Sequence, residues 1–177
     1  EEVANDPEIL KLNRLFGLHV IAAYALAAII GDIHRFRTPR KLAAYLGCSP
    51  NTNRSGLGKH DGGSVPWGCG EVRRILIQSA KTILRFDNDT PLHKWGLALA
   101  YRKGRNLAAF AVARKLVTAI WYLLKGFFTP LTEETPVLRR KLFELAKEIG
   151  VKRVRELGYK HSGDFRDRKM QVLFETT

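Results

Sequence analysis

At four points along this chain a capping side chain and a proline stand directly before a stretch with apolar residues at helical spacing: Asp6-Pro7, Thr38-Pro39, Thr90-Pro91 and Thr135-Pro136. No other feature constrains the fold as much. The capping oxygen accepts a hydrogen bond from a free amide of the first helical turn, and proline takes a position where its missing N–H costs nothing. Each pair therefore starts a helix. Apolar residues then recur at helical spacing, with Gly17, Gly31, Gly104, Gly126 and Gly150 as punctuation. The pattern predicts a helix carrying Ile9, Leu10, Leu12 and Leu15, then a nearly all-apolar one ending at Ile30. Further helices are expected over Arg40–Leu46, Gly70–Arg85, Pro91–Lys103 and 105–124. Val137–Ile149 follows, extended after Gly150 by Val151–Leu157. Trp95 and Trp121 have apolar neighbours and are expected in the core. Only Met170 to Phe174 hints at a strand. We expect an all-α fold: a helical domain at 1–126, a linker at 127–134, and an appended helical extension and tail at 135–177.

Two breaks between helices bear on function. Phe16-Gly17-Leu18-His19 separates the first two, an outline that fits a helix–hairpin–helix, whose turn aims backbone N–H groups at a phosphate. It fits an ordinary helical hairpin equally well. The second break, NRSGLGKHDGGSVPWG at 53–68, holds two serines and five glycines and almost nothing that packs. Loops of this length are functional or disordered; we expect an irregular loop over 53–66, flanked by helices.

Charge narrows the partners. The net charge is +13 and is unevenly spread. Residues 1–34 carry two basic and five acidic groups, whereas residues 35–115 carry 16 basic and four acidic. A middle segment this basic points to phosphate backbone. Arg35, Arg37, Arg40, Lys41, Arg73 and Arg74 are the candidate contacts, and Trp67 is the aromatic placed to stack on a base. The 45% apolar content excludes a disordered chain, and no apolar run approaches the roughly 18 residues of a membrane span. Cys48 and Cys69 have no metal-ligand spacing and read as reduced thiols of an intracellular protein. Asp32, Asp61, Asp87 and Asp89 are scattered and form no metal set, and Asp32 reads as a local cap. The chain opens on Glu1 rather than methionine, so a fragment is expected.

Four blocks in order, IIGDIHRFRTPRKLAAYLGCSP, RSGLGK, WGCGEVRRILIQSAKTIL and RNLAAFAVARKLVTAIWYLLK, resemble one arrangement. It is the C-terminal transposase domain of the Piv/MooV family of DEDD transposases, the bridge-RNA-guided recombinases of bacterial and archaeal insertion sequences. The resemblance runs from about Leu15 to Lys125. The chain departs from the family pattern at Phe16-Gly17-Leu18-His19, where PGIG is usual. It departs again at Trp67-Gly68-Cys69-Gly70, where a lysine and Gly-Asn are usual.

The resemblance implies a two-part enzyme. A separate RuvC-like DEDD domain binds Mg²⁺, and the helical domain supplies a serine that attacks a DNA phosphodiester. A structured guide RNA selects the site. Ser55 of RSG matches the nucleophile, with Ser49 and Ser64 in reserve. The full protein is implied to act as a homo-oligomer in the cytoplasm, at the nucleoid, with no membrane role. The chemistry is coherent on its own terms: Gly56 and Gly58 let backbone approach a phosphate, and Arg54 and Lys59 can hold its oxygens. His60 and Asp61 lie near Ser55 in sequence, which is not triad geometry. Without the DEDD domain this chain is expected not to cut DNA. The alternative is a non-catalytic RNA- or DNA-binding module derived from such a transposase.

Overall fold

The computed structural model describes residues 6–53, 60–64, 68–86, 90–127 and 135–175. Among them the fold is all-α apart from one short hairpin. By compactness the chain forms two units, Glu1–Gly31 with Thr132–Thr177, and Asp32–Leu131. This division differs from the sequence-order boundaries at 126 and 135, because the C-terminal helices find their apolar cover on the first two.

In the first unit, α1 (Pro7–Asn13) is capped by Asp6, whose carboxylate accepts from Glu8 N at 2.8 Å. Gly17, at φ +82°, turns the chain into α2 (Val20–Ile30). The C-terminal helices are α7 (Thr135–Ile149), α8 (Val151–Glu156) and α9 (Ser162–Glu175). Leu142 packs with Leu10 and Met170, while Leu145 and Ala146 pack with Val20, Val154 and Phe165. The strand hinted at Met170 to Phe174 is thus a helix. From this one helix Phe165 is buried in the cluster with Leu145 and Val154, and Met170 in the cluster with Leu10 and Leu142.

The second unit is built on α6 (Arg105–Leu124), against which α3 (Pro39–Tyr45), α4 (Gly70–Arg85) and α5 (Pro91–Lys103) pack. Ala108, Ala109 and Ala113 are buried along α6 and let its neighbours approach closely. Thr38 and Thr90 cap α3 and α5 through Lys41 N and His93 N. By length and composition α6 is long and apolar enough to cross a membrane, contrary to the sequence expectation. Arg114 and Lys115 interrupt the run without lowering its mean hydropathy enough to exclude it. Here it is a core helix, with Val112, Leu116, Val117 and Ile120 fully buried. Trp95 lies at the surface rather than in the core, with the Lys115 ammonium 4.6 Å above its ring.

Candidate nucleic-acid interface

The break between α3 and α4 is closed at its base. The chain leaves α3 through Gly47, at φ +71°, and returns through Gly68, at φ +100°. A Cβ on Gly68 would stand 2.6 Å from Gly47 Cα and 2.7 Å from Gly47 N, so backbone meets backbone. Beyond this neck, β1 (Pro50–Asn53) and β2 (His60–Ser64) pair antiparallel. Thr52 faces Asp61 and Asn53 faces His60, with an irregularity between Pro50 and Thr52. The irregular loop expected over 53–66 is corrected to this extent: its flanks are strands. Asn, Asp and Gly are poor strand formers, but a closed neck brings the two backbones within pairing distance and overrides propensity. Arg54, Ser55 and Lys59, between the paired ends, and Trp67 lie outside the described residues. Ser49 is half-buried just before β1, and Ser64 ends β2 opposite Pro50.

The candidate cations fall into two groups. Residues 33–41 form an exposed basic ledge. Asp32 accepts from His34 N at 2.8 Å and starts a single 3₁₀ turn, Ile33–Arg35, which is the local capping role expected of it. Arg35 stacks 4.6 Å from the ring centroids of both Phe36 and Tyr45, which fixes its guanidinium plane. Arg37, Arg40 and Lys41 are exposed. The end of α6 braces the ledge: Trp121 Nε1 donates to Phe36 O at 2.9 Å, and Lys125 Nζ lies 3.0 Å from His34 Nδ1. Sequence reasoning missed His34 and Lys125 as members of this surface, since the two are distant in the chain.

Arg73 and Arg74 part company. Arg74 is exposed and only 3.8 Å from an equally exposed Glu71, a weak pair in water. Arg73 instead lies over the neck, its Nη2 2.7 Å from where a Gly47 Cβ would stand. Next to it, burial pushes the Cys48 thiol up to about 11, with Arg73 and Arg114 only partly offsetting this. A thiol held neutral in this way is no nucleophile. Both cysteines are free. Among the described residues, no three His, Cys, Asp or Glu side chains come together as a metal set.

Fold and site together define a class: a basic all-helical domain that presents a hairpin from a glycine-closed neck beside a ledge of arginines. Residues 10–94 match the Transposase IS116/IS110/IS902 family. The matched segment contains the ledge, the neck, the hairpin and α4. A Pseudomonas aeruginosa protein described as "Probable family 20 transposase" is 34% identical over 124 residues, covering 69% of this chain and 37% of the relative. The transposase for insertion sequence element IS1111A of Coxiella burnetii is 34% identical over 121 residues, 64% of this chain and 32% of that protein. The chain thus spans about a third of the curated relatives it matches. No solved structure matches it significantly.

Proposed function

We propose that this chain is the helical part of a DNA transposase and that Ser55 is its nucleophile. The family match over residues 10–94 carries this reading, because it encloses the RSG segment and the basic ledge in one domain. In the reaction, Ser55 Oγ bonds to the phosphorus of a DNA phosphodiester and its proton leaves to a base. The bond from phosphorus to the departing deoxyribose oxygen breaks, and that oxygen takes up a proton. The strand end is then held as a phosphoserine. Arg54 and Lys59 neutralise the phosphoryl oxygens as charge builds. Arg35, Arg37, Arg40, Lys41 and Arg74 hold the backbone of DNA or of a structured guide RNA, and Trp67 stacks on a base. Arg73 acts as a positioning residue at the neck. Mg²⁺, held by a separate RuvC-like DEDD domain, would stabilise the same developing charge. The working assembly is a homo-oligomer in the bacterial or archaeal cytoplasm, at the nucleoid.

The test is a denaturing gel with end-labelled DNA and the protein assembled with its DEDD domain, guide RNA and Mg²⁺. The unmutated protein gives a covalent adduct. Ser55→Ala abolishes it and leaves nucleic-acid affinity within about twofold, since no charge is removed. An adduct that survives Ser55→Ala moves the nucleophile to Ser49 or Ser64. No adduct from the unmutated assembly leaves the non-catalytic binding module.

A further inference from the structure

A second basic feature of the Asp32–Leu131 unit lies on residues outside the ledge, the neck and the hairpin. The C-terminal half of α4, α5 and the start of α6 enclose an open groove of about 580 Å³. Gly96 keeps α5 close to its neighbours. A Cβ there would stand 2.7 Å from Leu84 Cδ2 and 2.8 Å from Val112 Cγ2, so α5 runs tight against both neighbouring helices.

The lining combines three chemistries. Lys81, Arg85 and Arg105 contribute cations, and no described carboxylate lines the groove. Phe86 contributes an aromatic ring that is 54% exposed, with the Arg85 guanidinium 5.7 Å from its centroid. Gln78 and Asn106 contribute amides, each with a donor and an acceptor. A cavity of this size takes one small organic group.

An acidic peptide would satisfy the cations and waste the ring and the amides. A duplex would satisfy the cations while keeping its base faces stacked away from Phe86. An unpaired nucleotide uses all three: phosphates on the cations, a base face on the ring, a base edge on the amides. We infer that this groove binds an unpaired nucleotide within a single-stranded segment of nucleic acid, with its base stacked on Phe86. This deepens the proposed nucleic-acid role and places it on side chains that the ledge does not use.

Fluorescence anisotropy tests it, with the full chain and a short mixed-sequence RNA strand, the DNA strand of the same sequence, and the corresponding duplex. Phe86→Ala is expected to weaken single-strand binding about tenfold, the size of one lost base stack, and duplex binding less than about twofold. Phe86→Trp restores the single-strand affinity. The double variant Lys81→Gln/Arg105→Gln lowers the single-strand salt slope by about 1.4, roughly 0.7 for each phosphate released. Phe86 is largely exposed, so an unchanged Tm certifies the fold of each variant. Preference for the RNA or the DNA strand names the source, and either supports the inference.

Three results overturn it: no effect of Phe86→Ala, equal loss for duplex and single strands, or displacement of the strand by polyglutamate at equal charge. Duplex binding without single-strand binding removes this site and leaves the proposed function standing. Failure of the unmutated protein to bind any nucleic acid removes both.

Discussion

At Gly68 two demands fall on one residue. Its φ of +100° lies where L side chains are strained, and its missing Cβ leaves room for the backbone of Gly47. Gly126 has a similar φ of +85° and nothing within 4 Å, so it carries the first demand without the second. Gly47, at +71°, would first meet the Arg73 guanidinium, with Nη2 at 2.7 Å and Nε at 2.9 Å, a side chain that yields more readily than backbone. Alanine should therefore cost about 1 kcal/mol at Gly126 from backbone strain and more at Gly47. At Gly68, strain and overpacking add to about 3 kcal/mol or more. Urea unfolding of the three variants gives the order. If Gly68→Ala is no worse than Gly126→Ala, the neck is open and the hairpin has no fixed base.

The elements that read cleanly from the sequence are those with local causes. Asp6, Thr38 and Thr90 cap the helices they were expected to cap, because a cap is settled within one turn. The hairpin was not legible: apart from Thr52 nothing in PNTN or HDGGS favours a strand, and its pairing depends on two glycines far apart in the chain. The apolar run at 170–174 misled for the same reason, since only packing on Leu10 and Leu142 shows what Met170 serves. For the candidate site, the basic ledge could be read directly. The separation of Arg73 from Arg74, and the arrival of Lys125 beside His34, could not, because each is a tertiary event. On α3, Arg40 and Lys41 are both exposed in a capped first turn. If both hold phosphates, Arg40→Ala/Lys41→Ala should flatten the duplex salt dependence by about 2, roughly 0.9 per phosphate, with no change in Tm. An unchanged slope takes α3 off the nucleic-acid surface.

Among the described residues, each compact unit holds one group whose ionisation burial shifts far from its ordinary value, Lys141 and Cys48, and the two act on stability in opposite directions. In the first, Lys141 Nζ donates to Asn13 O at 3.0 Å and Leu15 O at 2.7 Å at the end of α1. Burial, with Arg140 acting the same way, lowers the Lys141 ammonium from 10.5 to about 7. Above pH 7 the folded chain has begun to release this proton, while the unfolded chain keeps it up to 10.5. The unfolded state thus binds more protons, and stability rises with pH. In the second unit Cys48 is raised from 9.0 to about 11, so between those values the unfolded chain loses its proton first and stability falls with pH. The sum should climb by about 2 kcal/mol between pH 7 and pH 9, since a full proton difference is worth about 1.4 kcal/mol per pH unit. It should then level off as the thiol opposes the amine, and decline once pH passes 10.5. Urea unfolding across this range, in salt sufficient to screen the +13 net charge, measures it. Lys141→Met should remove the climb. Cys48→Ala should lower overall stability, yet let the climb continue to about pH 10.5. A profile that falls from pH 7 to pH 9 in the unmutated protein would mean that Lys141 is held as an ammonium, its charge sustained by the two carbonyls that close α1.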